Sequence, residues 1–127
     1  MVLQMTLARI LVVGERSALN HLADHLEGAG RYRLSYVLPG RGGLRLEPRP
    51  DVVLLSVPEE PEAAERALAW LDFIKNQVPV VVLSSAAGMS FYLAAMNRGA
   101  FDYLTCLTPP EEVARVLSAA IGWRRVA

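Results

Sequence analysis

A carboxylate, three hydroxyls and a thiol stand where short apolar runs end: Gly14-Glu15 after ILVV, Ser56 after VVLL, Ser84-Ser85 after VPVVVL, and Cys106 after DYLT. Gathered in one place, such groups could hold a cation, activate a hydroxyl nucleophile or answer to oxidation. Each possibility lacks a partner. Magnesium takes oxygen ligands in near-octahedral geometry, and one carboxylate beside a hydroxyl makes a poor site for it. A serine hydroxyl is a weak nucleophile unless a base activates it, and neither His21 nor His25 falls in these runs. Cys106 is the single cysteine, with no resolving thiol and no basic neighbour in sequence, so a redox-sensing role is disfavoured. His21 and His25 lie four apart and could share a metal. They sit beside the Leu19, Leu22, Leu26 stripe without a third ligand, so a solvated pair is the simpler reading. VVGERS holds one glycine, which leaves neither a dinucleotide fingerprint nor a P-loop. No catalytic residue, metal or cofactor is expected from these residues.

The runs themselves are strands. Residues 9–13, 32–37, 52–55, 78–83 and 102–105 are short, mostly rich in Val, Leu and Ile, and bounded by polar or turn residues, as strands buried on both faces are. Between them the period is helical. Helices are predicted over Ser17–Glu27, which Gly28 and Gly30 stop, over Pro61–Asn76, over SFYLAAMNRGA at 90–100, and over Pro110–Trp123. Alternation of this kind predicts an α/β fold, a doubly wound parallel five-stranded sheet with right-handed crossovers and helices on both faces. Its functional crevice lies outside the carboxyl ends of the strands. Gly14, Glu15, Ser56, Ser84 and Cys106 are therefore expected to converge.

Sheet-facing stripes follow from the helical period. Ala64, Leu68, Leu71 and Ile74 form one, and Ala114, Val116, Leu117, Ala120 and Ile121 another. The acidic first turn of Glu59, Glu60, Glu62 and Glu65 suits the positive end of a helix, and Glu111-Glu112 and Arg124-Arg125 bracket the last helix in the same sense. One segment breaks the alternation. LPGRGGLRLEPRP, residues 38–50, has too many glycines and prolines for a helix. One turn at most is expected there, leaving part of one sheet face exposed or open to another chain. Arg31, Arg33, Arg41, Arg45 and Arg49 crowd this region against Glu47. They could dock an acidic partner or phosphates, but Lys75 is the one lysine among 13 basic residues, and a solvated loop in an arginine-rich chain is the simpler reading.

The chain has 127 residues, the size of one domain. Its 13 basic and 13 acidic side chains cancel, so nothing global draws it to nucleic acid or to a membrane. Arg9 interrupts the apolar start MVLQMTLARILVV, which reads as a lead-in to the first strand rather than a signal peptide. A cytoplasmic location is the default expectation. A lone cysteine also excludes an internal disulfide and fits a reducing compartment.

The ordered set ILVV, PDVVLL, VPVVVLSS, RGAFDYLT and PPEEVARVLSAAI resembles the receiver domain of two-component response regulators over nearly the whole chain, with GAFDYL the most specific piece. The resemblance implies a flavodoxin-like (βα)5 fold in which the second helix is degenerate or missing. The family's phosphorylation site has paired acids after the first strand, an acceptor aspartate after the third, Thr or Ser after the fourth and Lys after the fifth. Those places hold Gly14-Glu15, Ser56, Ser84 and Cys106. Only Glu15 and Ser84 keep a suitable type. Without the carboxylates that hold magnesium and the lysine that adds positive charge, aspartyl phosphorylation has no basis. The resemblance is then to the aspartate-less, or pseudo-receiver, branch, which implies no enzyme.

In that family the fourth helix, fifth strand and fifth helix form the surface where dimers or effector domains dock. Tyr92, Met96, Asp102, Glu111 and Arg115 fall on it here, and Tyr103 takes the place of the switch aromatic, expected as a fixed contact on that face. Phe91, Tyr92, Leu93 and Met96 exceed one core stripe, so some must face outward. The expected function is phosphorylation-independent signalling by docking with a protein partner, with its own copy as a dimer, or with a C-terminal effector domain. The alternative is a small-ligand or anion sensor using a crevice lined by Glu15, Ser56, Ser84 and Ser85.

Overall fold

The computed structural model describes residues 7–39 and 43–126, the side chains of 124–126 excepted. Five parallel strands, β1 Ala8–Val13, β2 Tyr32–Val37, β3 Val52–Val57, β4 Val80–Ser84 and β5 Asp102–Thr105, lie in the order β2-β1-β3-β4-β5. That is the flavodoxin-like order, and it reverses between β1 and β3. The strands alternate with α1 His21–Gly28, α2 Pro61–Ile74, α3 Met89–Asn97 and α4 Pro110–Val126. Residues 1–6 of the lead-in, Arg41, and the Arg124-Arg125 side chains lie outside the described residues.

Burial explains the layers. Val52, Val53, Leu54 and Leu55 of β3, and Val80, Val81 and Val82 of β4, are sealed on both faces, as central parallel strands must be. Ile10, Val12 and Leu54 meet α1 and α4 through Leu22, Leu26, Val116, Leu117 and Ala120 on one side. Val53, Leu55 and Val82 meet α2 and α3 on the other. Ala64, Leu68, Leu71 and Ile74 are all fully buried, as the period required. The α2 N-terminus forms because Pro61 fills the first turn and the Glu60 carboxylate accepts from the N–H groups of Glu62 and Ala63, at 3.2 and 3.1 Å.

Three expectations are corrected. The helix expected over Ser17–Glu27 divides into a 3-10 turn, Arg16–Leu19, and α1, because Asn20 takes a positive φ of 52°, a conformation that asparagine tolerates better than most residues. Ser56 lies within β3, one residue short of its end, paired with Leu83. Between β2 and β3 no helix occurs among the described residues, in keeping with the glycines and prolines, but the sheet face is not left bare. The connection lays Leu44 and Leu46 into the α2-side core, both buried. Leu11 and Val37 beneath this strap stay only partly covered.

Candidate functional site at the carboxyl edge of the sheet

Gly14 leaves β1 with φ 146° and donates its N–H to the Val37 carbonyl at 2.9 Å. It lies so close to β3 that a Cβ built on it would stand 2.8 Å from the Ser56 Cβ and 3.4 Å from its Oγ. Real Cβ contacts do not come so near. The missing side chain at 14 and the small one at 56 are therefore one packing solution, with Ser56 tucked half-buried under glycine backbone. Glu15 is exposed. Its carbonyl accepts from the Ala18 N–H at 3.0 Å to start the 3-10 turn, and its carboxylate accepts from the Ser17 hydroxyl at 3.3 Å.

The other members are occupied or elsewhere. Ser84 is the one buried polar residue among the described residues, and its Oγ accepts the Ala86 N–H at 3.0 Å. Its hydroxyl thus holds the β4 exit in shape. The exposed Ser85 donates its N–H to the Val57 carbonyl at 2.8 Å, and the exposed Cys106 donates its own to the Ser84 carbonyl at 2.9 Å. The backbones of all the predicted positions share one edge, yet the side chains do not share one crevice. Gly14, Glu15 and Ser56 line a hollow of about 250 Å³ walled by Val13, Leu38, Leu55, Ala67 and Trp70. Cys106 lines another, of about 310 Å³, with Leu19, His21 and Pro109. The expected crevice of Glu15, Ser56, Ser84 and Ser85 is corrected accordingly, since neither Ser84 nor Ser85 lines the first hollow. Among the described residues no three His, Cys, Asp or Glu side chains are grouped to hold a metal ion.

The α3–β5 region is apolar by contrast. Met89, Tyr92 and Leu93, spaced three and four apart, stand together on the outer side of α3 at 68, 40 and 51% exposure. Met96 and Phe91 turn toward the α2-side core instead. Tyr103 also turns inward. Its ring meets Tyr92 edge-on with centroids 5.7 Å apart, and its hydroxyl is buried without a hydrogen-bond partner. The predicted charged set divides. Asp102 accepts from the Tyr103 N–H at 2.7 Å. Arg115 is paired with Glu112 one turn earlier, which holds the Glu112 carboxyl below its ordinary range. Glu111 and Arg115 line a hollow that His25, Arg31 and Tyr32 share, on the α1 side of α4.

Sequence reasoning passed over Trp70, Leu38 and Met89. Ala67 and Trp70, three apart beside the main stripe, were the available signal for Trp70.

No family model and no curated protein matches the chain in sequence. Solved structures do match in shape. A response regulator receiver domain protein from Clostridium thermocellum superposes with a TM-score of 0.73 at 24% identity, covering 94% of this chain and 98% of its own. The signal receiver domain of a modulated diguanylate cyclase from Desulfovibrio desulfuricans gives 0.72 at 24%, covering 95 and 98%. A receiver domain protein from Methanospirillum hungatei gives 0.73 at 18%, covering 94 and 98%. At these identities the likeness establishes the receiver fold.

Proposed function

We propose that this chain is a receiver domain of the response-regulator family, in its aspartate-less branch, and that it signals by phosphorylation-independent protein–protein interaction through α3, β5 and α4. The observation that carries the reading is the interlock of Gly14 with Ser56. Phosphoryl transfer to a receiver needs an acceptor carboxylate, a metal that neutralises phosphoryl charge and a cation beside it. The corresponding places hold a hydroxyl packed under glycine, one exposed carboxylate and Cys106. Filling position 14 with an acid while Ser56 stays put meets a 2.8 Å contact.

The docking half of the reading rests on Met89, Tyr92 and Leu93. Three large apolar side chains adjacent on one exposed helix face are what a protein interface covers, and, partly covered already, each gains about 1 kcal/mol on full burial. Tyr103, fixed under Tyr92, supports that face from within. The partner is the chain's own copy, another protein or an effector domain carried on the same polypeptide. The reading gives the domain no enzymatic activity and no direct nucleic-acid contact. Among the described residues no helix is long and apolar enough to cross a membrane, and a cytoplasmic site of action accords with the single cysteine.

Sedimentation equilibrium over a wide concentration range tests the self-docking form. A mass that rises with concentration, and returns to that of the monomer in Tyr92→Arg and Leu93→Arg, is the expected result. A strict monomer that also retains no partner protein counts against it.

A further inference from the structure

We infer that the hollow at the β1–β3 reversal is a binding site for a small, largely apolar molecule that carries one basic or hydrogen-bond-donating group. Its place is the first support. In open α/β sheets the crevice at the strand reversal is where ligands are held, and here that crevice lacks the charges that would suit a phosphoryl group. Its walls are the second. Val13, Leu38, Leu55, Ala67 and Trp70 line it, and the hollow measures about 250 Å³. An apolar cavity of about 150 Å³ holds benzene, so a single ring with a short substituent fits.

The polar groups define the class. The Glu15 carboxylate is the one charged group on the lining, with no Lys, Arg or His beside it, and the Ser56 hydroxyl and the Trp70 indole N–H are the other polar side-chain groups. Ser56 Oγ makes no hydrogen bond among the described residues. Glu15 is an acceptor with only the 3.3 Å contact from Ser17 to satisfy it. An anion entering this hollow would be repelled by the Glu15 carboxylate and meet no cation, whereas an ammonium group would pair with that carboxylate and could also donate to the Ser56 hydroxyl, beside apolar walls. Leu38 on the lining is 61% exposed, and Gly14 and Ser56 together leave room because they occupy so little space.

The chain has two tryptophans, and they report on different places. Trp70 lines this hollow, while Trp123 lines a larger one of about 730 Å³ at the opposite edge of the sheet, beside Arg49 and Lys75. Titration of the 127-residue chain with benzylamine and, separately, benzoate, followed by amide and indole NMR, is the test. Benzylamine is expected to shift the Trp70 indole and the Gly14 and Ser56 amides saturably and to leave Trp123 still, with benzoate silent at Trp70. Glu15→Gln, at an exposed position, should weaken benzylamine roughly fivefold, the upper end for an exposed ion pair. Ala67→Phe, with its remaining spectrum intact, should abolish binding. The proposal is overturned if Trp70 shows no saturable shift, if benzoate binds there as well as benzylamine, or if folded Ala67→Phe binds undiminished.

Discussion

The carboxyl edge at β1–β3 and the outer side of α3 differ in what they do with side chains. At the edge, Gly14 lies so close to Ser56 that position 14 cannot take a side chain while Ser56 stays put. On α3, Met89, Tyr92 and Leu93 exceed what the core can absorb and stand in solvent. The first region is closely packed and small; the second presents apolar side chains that the core does not cover. The contrast teaches that, on one receiver-like fold, the sheet edge and a helix face are under separate packing constraints, so that one can tighten while the other stays apolar and exposed.

The comparison breaks most directly at Gly14. Gly14→Asp should cost roughly 2–4 kcal/mol, the sum of a side chain at φ 146° and overpacking against Ser56. In the Ser56→Gly background the same change should cost about half as much, because the two positions share one space. Urea unfolding of the four proteins measures the cycle, and full additivity would mean that the interlock is not the constraint. Leu46→Ala comes next. It should cost roughly 2 kcal/mol by unstitching the strap from the α2-side core, a loss visible as a lower urea midpoint at unchanged slope.

On the α3 side the expected effects are smaller. Tyr103→Phe removes a buried hydroxyl without a partner and should leave stability unchanged or raise it by up to about 1 kcal/mol. A clear destabilisation would reveal a hydrogen bond that Tyr103 needs. Smallest of all is the Arg115–Glu112 pair. Because the hydrogen bond from Arg115 depresses the Glu112 carboxyl, its slight stabilisation is complete above the unfolded-state carboxyl value and fades as pH falls through the folded-state one. Glu112→Gln should flatten that part of the acid melting profile without moving the neutral-pH midpoint much.

The regular parts of this structure were open to reading because period and burial coincide. The Ala64, Leu68, Leu71, Ile74 stripe and the β2 strand at Tyr32–Val37 lie where the sequence pattern places them. The strap was harder, since glycines and prolines announce the absence of a helix but not what covers the sheet. The alternation of Leu44, Arg45, Leu46 and Glu47 was the cue, and Leu44 and Leu46 are the pair that turns inward. The candidate site was half legible. Strand order dictates which backbones meet at one edge, so Gly14, Ser56, Ser84 and Cys106 could be placed there. Whether Ser84 faces a ligand or caps Ala86 depends on a local hydroxyl bond that strand order does not specify. The charged set of Asp102, Glu111 and Arg115 scattered for the same reason, because each found a nearer partner or another groove.

The central claim is that the carboxyl edge no longer takes a phosphoryl group. Amide NMR of the chain titrated with magnesium and then with beryllofluoride, which mimics a phosphorylated carboxylate, tests it directly. The account predicts no saturable change at Glu15, Ser56 or Ser84 and none at Tyr103. Saturable shifts at those residues, spreading to Tyr103, would contradict it and mean that the edge still binds a metal and an anion.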